Sequence, residues 1–263
     1  MPRPRRTTSP SEVNSVIGPL ARGLQVLSAF RAGDPPLRNQ DLASRTSIPP
    51  SSISRLTESL VTLGYLSYDA SGQTYSLTPA VLTLGQAFVG GIQVRYRLRP
   101  GMNEIAGQFG ASVSLGARNR REMIYVECCK GRAPVPFRFD VGSSLPLVRS
   151  AMGWSYLAGL DEATFYSTMD EIRLADPDTW RPLSRSIEKA REEVCSRGFC
   201  ISMGVYETGV HTAGVPVFTR RGEPIFGLTC GAPAFHLSEE ILVNEIGPRL
   251  VWLARSVLQG DQQ

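Results

Sequence analysis

The chain has 263 residues, 42% of them hydrophobic, with 28 basic against 24 acidic side chains and a formal net charge of +4. That length allows two domains with separate cores, the apolar content excludes a largely disordered protein, and no apolar run is long enough to span a bilayer. The first ten residues carry three arginines with no apolar stretch behind them, which argues against a secretory leader, so a soluble, cytoplasmic protein is expected.

The charge is polarised. Residues 1–99 hold eleven arginines and no lysine against five acidic residues, whereas residues 100–263 hold 17 basic against 19 acidic. A basic N-terminal third beside a slightly acidic remainder suits a nucleic-acid module joined to a part that does not touch nucleic acid. The five cysteines are odd in number and lack CxxC spacing, so they read as reduced thiols rather than a disulfide frame or a zinc site.

In chain order, residues 1–17 read as a flexible basic arm able to follow a phosphate backbone. A helix is expected from Pro19 to Ala32, with Leu20, Leu24, Leu27 and Phe30 inward. Asn39–Tyr65 then reads as a helix-turn-helix: a short helix holding Leu42 and Ala43, a turn at Thr46-Ser47-Ile48-Pro49, and a second helix with a stripe of Ile53, Leu56, Leu60 and Leu63. Its opposite face carries Ser51, Ser52, Ser54, Arg55 and Glu58. Small hydroxyls around one guanidinium fit a major groove and reach both phosphates and a guanine edge. Tyr65–Tyr68 and Thr74–Leu77 alternate as a β-hairpin around Asp69–Gln73. Three helices and a hairpin make a winged helix.

Thr78-Pro79 starts another helix whose Val81, Leu82, Leu84 and Phe88 need a partner, most simply a second copy of the chain. Beyond Pro100, a helix at Met102–Phe109 precedes strands at Ser112–Leu115, Met123–Glu127 and Val135–Phe139. Helices follow at Ala151–Leu160, Asp161–Met169 and Leu183–Arg197, then strands near Ala213–Thr219 and Ile225–Cys230, and a last helix at Ser238–Leu258. This pattern is an α+β fold. The expected domains are an arm (1–17), a winged helix-turn-helix (18–78), a linker helix (79–99) and an α+β domain (100–260).

Leu20-Ala-Arg-Gly-Leu-Gln-Val-Leu27, Asp41-Leu-Ala-Ser-Arg-Thr46, Pro49-Pro-Ser-Ser-Ile-Ser-Arg-Leu56 and Leu60-Val-Thr-Leu-Gly-Tyr-Leu66 occur here in order. They are followed by Gly142-Ser-Ser-Leu-Pro146, Ser150-Ala-Met-Gly153, Arg197-Gly-Phe199 and Gly209–Val217. Over residues 19 to 258 the chain resembles the IclR family of bacterial transcription regulators. The resemblance implies a GAF-like effector-binding domain and a homodimer or tetramer. It also implies operator DNA and a small carboxylate effector as ligands, RNA polymerase as a further contact, and no cofactor, metal or membrane. It assigns Ser51, Ser52 and Arg55 to the DNA-reading helix. Ser47 stands where a glycine is usual and Thr57 where a leucine is usual, and the hairpin tip lacks the family's base. Phosphate contacts then fall to Arg22, Arg45, Arg55 or the arm.

For the effector, the resemblance points to Ser150, Ala151 and Met152 at a helix start, the segment from Ser202 to Thr212 with Tyr206, and Thr229 with Gly231. Trp154 replaces a basic residue and Val205 an acidic one, which implies a less polar pocket. Tyr125, Phe137, Phe139, Trp154, Tyr206 and Phe226 are candidate walls for an aromatic carboxylate, with Arg149 or His211 as partners of its acid group. No catalytic residues are expected: neither His211 nor His236 has a metal-spaced partner, and no phosphate-cradling glycine motif occurs. Two other classes remain open, a DNA-architectural protein whose second domain only dimerises and an enzyme with a winged-helix appendage. Ligand titration separates them.

Overall fold

The computed structural model describes residues 18–132, 139–218 and 224–259. The arm, Phe137 and nearly all of the expected strand at Val135–Phe139 lie outside these. The chain divides into two compact units at Gly91/Ile92, and no helix among the described residues is long and apolar enough to cross a membrane.

The first unit holds α1 (Gly18–Leu27), α2 (Asn39–Thr46), α3 (Pro50–Thr62), the hairpin β1 (Leu66–Asp69) and β2 (Thr74–Leu77), and α4 (Pro79–Gly90). Its core is Val26, Leu37, Leu42, Ile48, Ile53, Leu60 and Leu66. Each fully buried aliphatic side chain of this kind contributes roughly 1.5–3 kcal/mol. Two expectations change here. α1 ends at Leu27 rather than Ala32 and buries Val26, leaving Leu20 and Leu24 more than half exposed. The inward stripe of α3 is Ile53, Thr57 and Leu60, with Leu56 half-buried and Leu63 exposed. Thr57 is fully buried because its hydroxyl donates to the Ile53 carbonyl at 3.0 Å, with Asn39 Oδ1 3.4 Å away. That satisfies a polar group that would otherwise be costly inside a core. The wing is extended by Leu37, which exchanges both backbone hydrogen bonds with Tyr75 at 3.0 and 2.7 Å.

α4 starts at the expected cap, Thr78 accepting from the Ala80 amide at 3.3 Å, and no residue of it is buried. The helix stops at Gly91. The second unit opens with α5 (Gln93–Phe109), which runs straight through Pro100, so the division lies eight residues before the expected one at 99/100. Proline usually breaks a helix interior. Here the next residue, Gly101, lies so close to Leu253 that a Cβ would sit 2.5 Å from its side chain, and this packing holds the helix through the missing hydrogen bond.

Six antiparallel strands follow in the order β5-β4-β3-β8-β7-β6: β3 (Ser112–Asn119), β4 (Glu122–Lys130), β5 (Ser144–Pro146), β6 (Cys200–Met203), β7 (Val210–Phe218) and β8 (Pro224–Pro233). One face packs on α5 and α10 (Gly247–Gln259) through Val113, Leu115, Val215, Leu228 and Leu250. The other faces α6 (Ala151–Ala158), α7 (Glu162–Ala175) and α8 (Pro177–Arg197) through Met123, Tyr125, Met152, Leu157 and Ile187. α10 is preceded by α9 (Glu239–Ile241) and a π-helical turn at Leu242–Ile246, where Pro248 cannot donate to a regular ladder. The α+β architecture is therefore a sheet between two helical layers.

Ser47 has φ +58, the left-handed region in which a side chain costs roughly 1–2 kcal/mol. Ser47→Gly is expected to stabilise the first unit by about 0.5–1 kcal/mol after the glycine's greater unfolded entropy is subtracted, a rise in melting temperature readable by circular dichroism.

Candidate functional site

Two surfaces concentrate the residues that sequence reasoning selects. On the first unit, α3 begins after Pro49 with Pro50 at its first position, where a missing N–H costs nothing. Its outer face presents Ser51, Ser52, Ser54 and Arg55, of which only Ser52 is half-buried. Ser54 is already engaged, donating to the Pro50 carbonyl at 3.1 Å and accepting from Asn39 Nδ2 at 3.2 Å, so it braces α2 against α3. Arg45 is engaged more firmly, in an ion pair with Asp34 and a 2.9 Å bond to the Ala29 carbonyl. The Arg45 guanidinium holds the Asp34 carboxyl below its ordinary value. That contribution is present above the ordinary carboxylate range and is lost as pH falls through the depressed value. Among the described residues, Arg22, Ser51, Ser52 and Arg55 have no intramolecular side-chain partner. The wing tip is acidic: Asp69 accepts from the Ser71 amide and hydroxyl and from the Gly72 amide.

On the second unit, the sheet face under α6 is almost bare. Pairing aligns Gly116, Gly227 and Pro216 in one row, Ser114, Thr229, Gly214 and Cys200 in the next, and Ser112, Gly231, Thr212 and Ser202 in a third. A Cβ on Gly116 would sit 2.1 Å from Met152 Sδ, one on Gly227 2.4 Å from the Met152 carbonyl, and one on Gly214 2.7 Å from the Ala151 carbonyl. α6 thus lies directly on the sheet backbone. Its N-cap is Ser150, whose buried hydroxyl accepts from the Gly153 amide at 3.1 Å and donates to the Pro146 carbonyl at 3.0 Å. The amides of Ala151 and Met152 have no partner among the described residues.

Where the glycines give way to hydroxyls, the sheet and the start of α6 leave a narrow cleft of about 50 Å3, room for a few waters. Its floor is Ser202, Thr212 and Thr229; its helical end is Ser150, Ala151 and Met152; and Leu145, Glu207 and Val210 complete the sides. An aromatic roof closes it. Tyr125 stacks on Phe139 at 5.7 Å, and Phe139 meets Tyr206 at 6.1 Å. Burial pushes the Tyr125 phenol well above its ordinary value, so its hydroxyl remains a proton donor at any physiological pH.

Seven of the expected effector residues line this cleft: Ser150, Ala151, Met152, Ser202, Tyr206, Thr212 and Thr229. Four do not. Trp154 is core, its indole donating to the Val148 carbonyl at 2.7 Å. Arg149 is exposed outside the cleft. His211 Nδ1 is committed to the Leu237 carbonyl at 2.7 Å. Gly231 sits in the row beside Thr212, where a Cβ would approach the threonine hydroxyl to 2.8 Å. Of the expected walls, Phe226 packs in the core on the opposite sheet face. Leu145 was not expected; Glu207 and Val210 lie within the expected segment from Ser202 to Thr212 but were not named individually. A signal for the last two exists in the glycines Gly204 and Gly209 that bracket their loop.

Burial raises the thiols, Cys128 and Cys129 to about 11 and Cys200 and Cys230 to about 12, so they stay protonated and weakly nucleophilic. Among the described residues no group of three or more His, Cys, Asp or Glu could hold a metal.

A family model described as the bacterial transcriptional regulator IclR C-terminal region matches residues 86–257, and one for the IclR helix-turn-helix domain matches residues 19–70. The chain is 27% identical over 240 residues to the HTH-type transcriptional regulator TsaQ1/TsaQ2 of Comamonas testosteroni, covering 90% of this chain and 86% of that protein. An IclR family transcriptional regulator from Brucella abortus has a crystal structure that superposes with a TM-score of 0.83 at 31% identity, over 98% of this chain and 96% of that one. An IclR homologue from Microbacterium hydrocarbonoxydans, crystallised with 4-hydroxybenzoate, shares the fold with a TM-score of 0.72 at 19% identity, over 92% and 99% of the two chains.

If α6 is placed by backbone contact with the sheet, Gly227→Ala should destabilise the second unit by roughly 1–3 kcal/mol, as overpacking does. Gly107→Ala, on α5 with nothing within 4 Å of the added Cβ, should stabilise it by about 0.5–1 kcal/mol. Thermal melts of the two variants check the contrast.

Proposed function

The chain belongs to the IclR family of bacterial transcriptional regulators, and from that premise we propose a dimeric operator-binding switch set by a small carboxylic acid, aromatic in character. The protein is a regulator rather than an enzyme. The observation that carries the ligand reading is the cleft. Two unpartnered amides, Ala151 and Met152, stand at a helix N-terminus, where the helix dipole favours an anion. Hydroxyls line the floor and aromatic side chains border it, a lining whose chemistry suits an aromatic acid once the cleft opens beyond the few waters it now admits. The Microbacterium homologue was crystallised with such an acid.

For DNA, α3 offers Ser51, Ser52 and Arg55 as the readers, with Arg55 the side chain able to contact a guanine edge bidentately. Arg45 serves the fold of the unit before it serves a phosphate, because Asp34 holds it. Exposed apolar side chains on α1 (Leu20, Leu24) and α4 (Leu82, Leu84, Phe88) supply the partnerless surface that a second copy covers, and two copies present two recognition helices to a pseudo-palindrome. The effector changes operator affinity by its differential affinity for two arrangements of the dimer, typically 1–3 kcal/mol of coupling.

Arg55→Ala is expected to weaken specific operator binding by about tenfold or more without altering the dimer; unchanged gel-shift affinity at moderate salt would refute the assignment. Phe88→Glu together with Leu24→Glu should convert the dimer to monomers in sedimentation, and a persistent dimer would move the interface elsewhere. Benzoate-class acids at about a hundred times their Kd should stabilise the protein by about 2.7 kcal/mol; absence of any thermal shift across aromatic and aliphatic acids would overturn the carboxylate reading.

A further inference from the structure

Glu127 is a buried acid that neither functional surface uses. It is 4% exposed and lies in β4, two residues past the cleft wall Tyr125. In a regular strand residues two apart share a face; here they do not. The β3–β4 register shifts so that Gly116 pairs with Tyr125 and Leu115 with Glu127, which leaves Val126 as the extra residue of a β-bulge. Tyr125 accordingly belongs to the cleft layer, while Val126 packs with the α5–α10 core. Glu127 turns the same way as Val126 and reaches α5, where its Oε2 accepts from Arg95 Nε at 2.6 Å. Its Oε1 accepts from the Cys128 amide at 3.2 Å.

The bulge therefore has the cleft on one side and the start of α5 on the other. Gly116, opposite Tyr125, lies against the side chain of Met152, a second lining residue of the cleft. Arg95 sits in the first turn of α5, which begins at Gln93, just past the division at Gly91/Ile92. That turn is tied to the rest of its helix by one bond fewer than usual, because Pro100 has no N–H to give to the Tyr96 carbonyl. Ile92 and Leu98 bury apolar surface on either side of Arg95, a contact without direction, whereas the charged hydrogen bond to Glu127 fixes a position. We propose that Glu127 and Arg95 are the link through which the state of the cleft sets the position of the start of α5, and with it the linker that leads to the DNA-reading unit. This rests on the reading of the cleft as the regulatory site given above, and not on which ligand fills it. A shift of Tyr125 moves the bulge, where the ladder is already interrupted, and the ion pair carries that shift to Arg95.

Hydrogen-exchange mass spectrometry of the full-length protein tests this through a cycle of wild type, Tyr125→Leu, Glu127→Gln and the double variant. Tyr125→Leu changes the cleft wall without any ligand. It should speed exchange in the segment 93–99 about tenfold, with the α10 segment 250–257, on the same sheet face, unchanged. Glu127→Gln should itself raise exchange in 93–99, and in its background Tyr125→Leu should add less than about twofold. Increments that simply add in the double variant would show that Glu127 holds only its own surroundings and would overturn the proposal. So would a Tyr125→Leu protein whose segment 93–99 exchanges as in wild type. Arg95→Lys, which keeps the charge and loses the Nε contact, repeats the cycle from the other partner with the same two overturning results, and decides the matter if Glu127→Gln does not fold. Because no ligand enters, these outcomes are independent of the acid titrations that test the carboxylate reading.

Discussion

The second unit depends on one contact, backbone against backbone, where α6 rests on the sheet. Gly214 and Gly227, on adjacent strands, lie against the carbonyls of Ala151 and Met152, and Gly116 on the next strand receives the Met152 side chain. Gly153 completes the fit from the helix side, where a Cβ would stand 1.9 Å from the Leu147 carbonyl. Side-chain packing tolerates rotamer adjustment, whereas two backbones in van der Waals contact do not. The amides of Ala151 and Met152 are therefore held in position, which on the proposed carboxylate reading would lower the ordering cost of binding. The same strands carry two cores, one on each face, so the α5–α10 layer and the cleft layer share a rigid floor.

Much of this was legible in the sequence. Period-two alternation on either side of Asp69–Gln73 located the hairpin to within one residue, β2 standing at Thr74–Leu77 as expected and β1 at Leu66–Asp69 rather than Tyr65–Tyr68, because the strand pattern and the turn chemistry agreed. Thr78 marked a helix start by its capping chemistry, and Gly198, with φ +89, marked the end of α8. What failed did so for tertiary reasons. Pro100 reads as a helix end locally, yet the close packing of Gly101 on Leu253 carries α5 through it. Leu20 and Leu24 form an apolar stripe that periodicity assigns to a core, while Val26 holds the buried place; periodicity reports that a face seeks cover, not whose. Trp154 was selected as an aromatic wall at a position where the family has a basic residue and His211 as a partner for the acid group, but side-chain direction sends one into the core and the other to the Leu237 carbonyl. Leu145 lines the cleft through sheet pairing, a long-range fact invisible in a run of three residues.

The first unit shows how two departures from the family pattern are absorbed. Ser47 occupies a left-handed turn position at a cost in backbone energy, and Thr57 occupies a core position by returning its hydroxyl to its own helix. Asn39 meets both Thr57 and Ser54 and so ties the two helices of the motif by polar contacts in place of part of the apolar packing. The wing closes on the Asp69 carboxylate, so its tip carries negative charge where a phosphate backbone would meet it. Cationic attraction in this unit is correspondingly concentrated on few side chains.

The manner of holding an anion proposed for the cleft has a physiological corollary. Amide N–H groups and aliphatic hydroxyls do not ionise near neutrality, Tyr125 is driven farther from it by burial, and among the described residues no histidine lines the walls. A pocket that held a carboxylate through an imidazolium would lose its grip as the cell interior became alkaline and tighten it on acidification. On the proposed reading this one would hold its anion with fixed dipoles, so over the range where cells drift, the signal it reported would be the concentration of the acid and not the acidity around it.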